Sequence, residues 1–390
     1  MQTLTLGPYL LPNLHSISWC DSWDLLPFLR LFLNPGLVDV DIEFPDTEPH
    51  IYRHATISMI PTRNLTELRI HSVWGNNPPD VDTLHYLLCM NALYNLLEQA
   101  SKTLRSAYLD GELSITVIKK LLQLPNLRLL KAGLPRTHIP LPAVVLPSLE
   151  ELIVSYGETS SLLHILRNIL NPTLRELKVF SRDPSPACLQ TLGISLLEAN
   201  IEQTLSSLDC HGNGIPLTEA GLHPFLSFGR LTKLDLLFPC TGEGCSFQLN
   251  DSIISKLAVA LPRLTHLGLG GAPCEAATSD VTIASLVVLS INCVDLDFLR
   301  LHFNANGIIS HDVHTNSQTH KFTCKLRTLV VGSRPLPSNH DDILLLTFTI
   351  LHIFPHLANV VCEGQGWSRV ERTIQLFQKA PKTIPLPPTI

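Results

Sequence analysis

The chain has 390 residues, of which 45% are apolar and 16% charged, enough apolar content to bury a large core and to exclude a globally disordered protein. Its net charge is −6 and it has no long basic run, which argues against binding nucleic acid through the phosphates. A single core rarely grows beyond about 250–300 residues, so the length predicts either two domains or a fold that elongates by repetition.

The predicted strands follow one pattern along the chain, a leucine with apolar residues three and five positions later. In chain order these triplets are Leu14-Ile17-Trp19, Leu37-Val40-Ile42, Leu65-Leu68-Ile70, Leu104-Ala107-Leu109, Leu127-Leu130-Ala132, Leu149-Leu152-Val154, Leu174-Leu177-Val179, Leu205-Leu208-Cys210, Leu231-Leu234-Leu236, Leu264-Leu267-Leu269, Leu286-Leu289-Ile291, Leu326-Leu329-Val331 and Leu357-Val360-Cys362. A single triplet is weak evidence, because about one leucine in five would fit by chance in so apolar a chain. The spacing carries the prediction: Leu14 and Leu357 lie 343 residues apart, which over the intervals gives about 29 residues each, near the upper end for leucine-rich repeats.

Helices are predicted between these strands, at residues 23–32, 82–99, 114–123, 160–170, 188–200, 251–260 and 341–354. Several begin near a Ser or Asp that suits a helix cap. Five repeats are entered by an apolar residue, a proline, any residue and a leucine, as in Leu124-Pro125-Asn126-Leu127. Because proline cannot continue a helix and favours extended geometry before it, this tetrapeptide is expected to convert helix into strand.

The predicted fold class is α/β, a leucine-rich-repeat solenoid of the ribonuclease-inhibitor-like horseshoe type. Parallel strands would line the concave face and helices would cover the outside. We expect about thirteen repeats over residues 1–380, a polar insertion loop at 300–323 and a proline-rich extended tail at 381–390. The alternative is a doubly wound α/β protein, which would favour longer Val/Ile runs and a glycine-rich first turn.

Cellular location is predicted from the N-terminus and the cysteines. Residues 1–12 have no basic residue ahead of their apolar part and no small-residue cleavage site follows, so we predict no secretory signal. The ten cysteines include no C-x-x-C pair, as is usual for reduced thiols. The most apolar stretch, residues 343–354, is shorter than the roughly 20 residues that span a bilayer. The prediction is an intracellular protein, in cytoplasm or nucleus, that binds no membrane.

The repeated L-P-x-L-x-x-L-x-L units, with long irregular helices between them, resemble the leucine-rich-repeat region of fungal F-box-type proteins over nearly the whole chain. The resemblance implies that the repeats recruit a target to an SCF-type ubiquitin ligase while an N-terminal F-box holds the adaptor. The F-box itself is not visible, because Met1, Leu4 and Leu6 already follow the repeat pattern. A ubiquitin-ligase adaptor is therefore expected as a partner only if an F-box lies upstream.

The candidate binding face follows from strand geometry, because side chains alternate and those at offsets two, four and six face the open concave side. The residues predicted there to contact a protein partner are Asp39, Asp41, Glu43, Glu67, Arg69, His71, Tyr108, Asp110, Lys131, Glu151, Glu176, Lys178, Asp209, His211, Lys233 and Asp235. His266 and Asn292 are expected on the same face.

The predicted function is a non-catalytic protein-binding module with no catalytic residues, metal or cofactor. The alternative is a scaffold or GTPase-regulator-like repeat protein unrelated to ubiquitin. A more distant alternative is a zinc-binding or enzymatic protein built on His311, His314, His320 and Cys324, which could supply a tetrahedral ligand set. The glycines Gly268, Gly270 and Gly271 only partly match a phosphate-binding loop, and we expect this run to end a repeat strand, where glycine turns the chain.

Overall fold

The structure is a computed structural model that describes residues 9–20, 25–44, 51–71, 83–134, 144–145, 148–156, 162–163, 165–166, 169–170, 173–181, 188–212, 215–239, 247–270, 280–305, 322–332, 340–362 and 367–379. The chain divides into two compact bodies. The N-terminal body comprises Met1–Asp183 with Glu198–Thr204, and the C-terminal body comprises Pro184–Leu197 with Leu205–Ile390.

The described part of the N-terminal body is a parallel sheet with a helix between each two successive strands from β1 to β5. Its strands are β1 (Ser16–Cys20), β2 (Asp39–Glu43), β3 (Glu67–His71), β4 (Ser106–Glu112), β5 (Leu129–Gly133), β7 (Glu151–Tyr156) and β9 (Glu176–Ser181), each pairing with the next of this series. The short strands β6 (Val144–Val145) and β8 (Ile169–Leu170) pair with each other. The helices are α1 (Leu26–Leu29), α2 (Ile51–Met59), α3 (Thr83–Gln99) and α4 (Ile115–Leu121).

The C-terminal body repeats the same plan. Its main strands are β10 (Ser207–Gly212), β12 (Lys233–Leu237), β14 (His266–Leu269), β15 (Phe298–Leu301), β16 (Thr328–Val331) and β17 (Asn359–Cys362), again parallel. The short strands β11 (Leu217–Thr218) and β13 (Phe247–Gln248) form a separate pair. The helices are α5 (Cys188–Glu198, all but its last residue in this body), α6 (Glu219–Leu222), the 3-10 helix His223–Ser227, α7 (Asp251–Ala260), α8 (Ile283–Asn292), α9 (His340–Ile353) and α10 (Trp367–Lys379).

The apolar triplets form the core of each body. In the repeats of the main strands from β2 to β16, counted for β15 from Leu296, every residue at offsets zero, three and five is at most 4% exposed, including the small Ala107 and Ala132. One strand and one helix cannot enclose such a row, so each repeat is stabilised by its neighbours. Successive parallel strands with inward apolar triplets and intervening helices make the fold a leucine-rich-repeat solenoid of the α/β class, as the sequence predicts.

The proline tetrapeptides close as turns ahead of the strands. The amide of Leu127 donates to the carbonyl of Leu124 at 3.4 Å, and the amide of Leu264 donates to that of Leu261 at 3.3 Å. Proline therefore occupies the second position of a β-turn, where its fixed φ is favoured. The same turn forms without proline from Cys293 to Leu296, where the amide of Leu296 donates to the carbonyl of Cys293 at 3.1 Å.

The turn from Cys293 to Leu296 shows that one strand was predicted in the wrong place. Leu286 and Leu289 lie in α8, on its buried side, and Ile291 is 39% exposed, although offset five should be buried. The strand of this repeat is β15, whose triplet is Leu296, Leu299 and Leu301, all fully buried. The wrong prediction has a physical cause: a spacing of three also places two leucines on one face of a helix.

Correcting this register shortens the interval that was expected to hold a polar insertion. Residues 300 and 301 complete β15, and Phe303 and Ala305 beyond them are buried, so the predicted start of the loop at 300 is wrong. The remainder, residues 306–321, lies outside the described residues, as do residues 381–390 of the predicted tail. The helix predicted at 160–170 is also wrong at its end, where Ile169 and Leu170 form β8. Across the residues that the structure describes, no helix is long and apolar enough to cross a bilayer.

Candidate functional site

The candidate site is the open face, defined here as the side of each sheet that carries the residues between the buried triplet positions. In β2, for example, Asp39 and Asp41 alternate with the buried Val40 and Ile42. In the N-terminal body the ion-paired side chains of this face are 23–45% exposed. They are thus accessible to a partner yet shielded enough for their charges to interact.

Arg69 is the centre of one cluster on the N-terminal body. Strand register sets it between Asp41 and Tyr108. Its guanidinium contacts Asp39 at 3.0 Å and Glu67 at 2.5 Å, and it lies 5.3 Å from the ring centroid of Tyr108. Burial alone would lower the pKa of Arg69, but Asp39 and Glu67 together raise it, so the cation is fixed at any physiological pH.

His71 is the centre of a second cluster. Its Nε2 lies 3.2 Å from a carboxylate oxygen of Asp41, and its Nδ1 lies 2.9 Å from one of Asp110. Lys131 contacts the other oxygen of Asp110 at 2.6 Å. Both ring nitrogens of the imidazole are therefore engaged, and the four side chains form a ladder from β2 to β5.

A third cluster on the same face joins β7 to β9. Lys178 donates to Glu151 at 2.7 Å and lies 3.6 Å from Glu176. Burial and the Glu151 carboxylate raise the pKa of Tyr108, which stays a neutral hydrogen-bonding group. At the end of β2, Glu43 is exposed, and its carboxylate accepts a hydrogen bond from the thiol of Cys20 at 2.9 Å.

The open face of the C-terminal body contains a more buried charged cluster. Lys233 donates to Asp209 at 2.7 Å, and the imidazole of His211 lies 3.9 Å from the other oxygen of Asp209. Burial alone would raise the pKa of Asp209, but His211 and Lys233 together lower it. Asp235 lies opposite Asp209 in the strand register.

Asp235 is also approached from the next strands. His266 lies 3.4 Å from one of its oxygens and Arg300 3.6 Å from the other. The ring of Phe298 stacks on His266, with centroids 4.1 Å apart and planes within 2°. These contacts place Phe298 and Arg300 on the same face.

The structure thus brings the predicted residues together on one face within each body. Sequence reasoning missed Phe298 and Arg300, because the misplaced Leu286 triplet hid β15. It placed Asn292 on the open face, whereas Asn292 ends α8 and donates to the Val288 carbonyl at 2.8 Å. The glycine run ends a strand as expected, because Gly270 directly follows β14 with a φ of 99°. Gly268 itself lies within β14, and a Cβ there would lie 2.1 Å from the Asp235 carboxylate that covers it. Gly271 lies outside the described residues.

The zinc alternative is only partly visible in the structure. His311, His314 and His320 lie outside the described residues. Cys324 is fully buried, and its thiol contacts the carbonyls of Cys293 and Leu296 at 3.5 and 3.7 Å. Burial raises the pKa of the Cys324 thiol, which disfavours the thiolate that zinc requires.

Comparison with known proteins yields structural similarity alone. No protein-family model and no curated protein sequence matches the chain. An internalin from Listeria monocytogenes aligns with a TM-score of 0.41 and 14% identity, over 84% of this chain and 80% of the internalin. A chain of the Rad7 and Elc1 complex from yeast aligns with a TM-score of 0.35 and 19% identity, over 68% of this chain and 73% of the yeast chain. Identities this low assign no family to the chain.

Proposed function

We propose that the chain is a non-catalytic protein-binding module and that its partner docks on the open face of the N-terminal body. The observation that carries this proposal is the packing of Arg69 against Tyr108, with Asp39 and Glu67 holding the guanidinium from two strands. Tyrosine and arginine are, with tryptophan, the residue types that most often dominate binding energy in protein interfaces.

The ion pairs around this centre also favour binding. Long charged side chains lose rotamer freedom when a partner immobilises them, which costs about 0.5–1.5 kcal/mol each. Here Arg69, His71 and Lys178 are already held by carboxylates of their own or adjacent strands. Part of this loss of rotamer freedom therefore occurs when the chain folds and is not repeated when the partner binds. The mixed charge pattern would select a partner whose charges alternate in the complementary sense.

The test uses affinity capture from the source cell with matched variants. Proteins captured by the wild-type chain are purified, and their dissociation constants are measured against Tyr108→Ala, Arg69→Ala and the control Arg128→Ala. Arg128 is 61% exposed and pairs loosely with Glu150 at 3.7 Å. We expect a partner to lose about 30-fold in affinity with Tyr108→Ala, as a 2 kcal/mol hot spot implies. A partner that binds all three variants as tightly as the wild type would refute the proposal.

The finer role that we propose is target recognition for a ubiquitin ligase, and its support is the resemblance of the L-P-x-L-x-x-L-x-L units to F-box-type proteins. The alternative is a scaffold or a GTPase-regulator-like protein. Expression from the full transcript, including any codons upstream of Met1, distinguishes them. Binding of that product to a ubiquitin-ligase adaptor supports the finer proposal. Failure to bind the adaptor, with the open-face partner still bound, favours the scaffold.

A further inference from the structure

Three potential metal ligands converge on the open face of the C-terminal body, where β10 pairs with β12. The strand register sets Asp209 directly opposite Asp235, and His211 follows two residues after Asp209 on the same side. Each of the three side chains offers one ligand atom, and these atoms all lie within 4.8 Å of one another.

The two carboxylates are buried and incompletely satisfied. Asp209 is 6% exposed and Asp235 is 8% exposed. In each, the Oδ1 atom is shielded from solvent and accepts no hydrogen bond from any residue that the structure describes. His211 lies 3.9 Å from this atom of Asp209 and Arg300 lies 3.6 Å from that of Asp235, which is close enough for attraction but beyond hydrogen-bond distance. A buried carboxylate oxygen that accepts no hydrogen bond is unfavourable, because its lost hydration is replaced only in part.

We propose that Asp209, His211 and Asp235 bind one divalent transition-metal ion, and that zinc is the ion that fits. Zinc accepts both imidazole nitrogen and carboxylate oxygen as ligands, and three protein ligands leave the fourth position of a tetrahedral site open. Metal–ligand distances of about 2.0–2.2 Å require the three ligand atoms to approach one another by small side-chain rotations. The side chain of His211 is 35% exposed on the open face, so a fourth ligand, water or a side chain of a bound protein, would reach the ion from the side of His211.

Two neighbouring cations determine how tightly the ion would bind. Lys233 already donates to Asp209 at 2.7 Å, and Arg300 lies 3.6 Å from Oδ1 of Asp235. Both repel a dication, and Lys233 competes directly for one ligand. Removing the Lys233 charge should therefore strengthen metal binding, whereas it would weaken a cluster whose only role is structural ion pairing.

The experiment is a zinc titration of the full chain after chelator treatment, in competition with a chromogenic chelator. We expect a site of one-to-one stoichiometry that Asp209→Asn and His211→Gln each weaken by at least about tenfold, and that Lys233→Met tightens. The matched control is His71→Gln, since His71 also lies beside two carboxylates, Asp41 and Asp110, but belongs to the N-terminal body. That variant should bind zinc as the wild type does.

Cobalt substitution separates this site from any cysteine-containing one. The proposed ligands contain no sulfur, so the bound cobalt ion should show no thiolate-to-metal charge-transfer band. A thiolate band, an absence of zinc binding by the wild-type chain, or zinc binding that neither Asp209→Asn nor His211→Gln weakens would each overturn the proposal. If circular dichroism shows that the Asp209→Asn variant is unfolded, the His211→Gln variant alone decides the test. His211 has a side chain that is 35% exposed, so its substitution should leave the fold intact. Neither result depends on the identity of the protein partner.

Discussion

Two adjacent residues of β9 test which side chains of a repeat face the core and which lie on the open face. Leu177 is fully buried and lies opposite Leu152 of β7, whereas the side chain of Glu176 is 45% exposed on the open face. Truncating a fully buried leucine removes its burial energy and leaves a cavity, so Leu177→Ala should cost about 3 kcal/mol. Glu176→Ala removes only a 3.6 Å contact with Lys178, which keeps its closer partner Glu151, and should cost less than about 0.5 kcal/mol.

The assay is urea denaturation of the full chain, followed by circular dichroism. Repeat proteins can unfold in parts, so native-state hydrogen exchange of the β7 and β9 amides is measured alongside. A difference of about 3 kcal/mol corresponds to roughly a hundredfold change in the unfolding equilibrium. Equal destabilisation by Leu177→Ala and Glu176→Ala would show that the buried and open faces have been assigned incorrectly.

Two further predictions concern cysteine reactivity and a helix junction. Burial raises the pKa of Cys293 to about 12, so its thiolate is scarce at pH 8 and we expect alkylation there to be far slower than at the exposed Cys20, as peptide mapping by mass spectrometry would show. Comparable labelling of both thiols in the folded chain would contradict this. Asp251→Ala should lower the free energy of unfolding by about 2 kcal/mol, because this carboxylate accepts hydrogen bonds from the amide and hydroxyl of Thr282 and from the hydroxyl of Ser285. An unchanged urea midpoint would show that these bonds do not stabilise the start of α8.

Much of the fold was predictable, because every repeat must bury the same inward row of side chains, and the same apolar triplet therefore recurs along the sequence. Twelve of the thirteen predicted triplets coincide with main-sheet strands, and the turn from Leu124 to Leu127 forms where proline predicts it. The Leu286 triplet failed because α8 satisfies the same spacing, while the true turn before Leu296 carries no proline to mark it. Local patterns cannot distinguish these cases when both segments are apolar.

The candidate site was predictable only in part. Alternation along a strand assigns side chains to a face, but it does not say which residues of neighbouring strands meet. The contact of Arg69 with Tyr108 depends on the register of β3 against β4. The carboxylate of Asp235 lies over Gly268 because that glycine leaves room, a relation between residues 33 positions apart in the sequence.

The central claim, that the open face of the N-terminal body binds the partner, is tested most directly by site-specific photo-crosslinking. A photoreactive residue is placed at Ile153, which lies on the open face beside Lys131 and Lys178, or at Leu87, which is 51% exposed on α3 of the same body. A partner that binds this face will crosslink to position 153 and not to position 87. Crosslinking at position 87 alone would contradict the claim, because the partner would then bind the helices instead of the sheet.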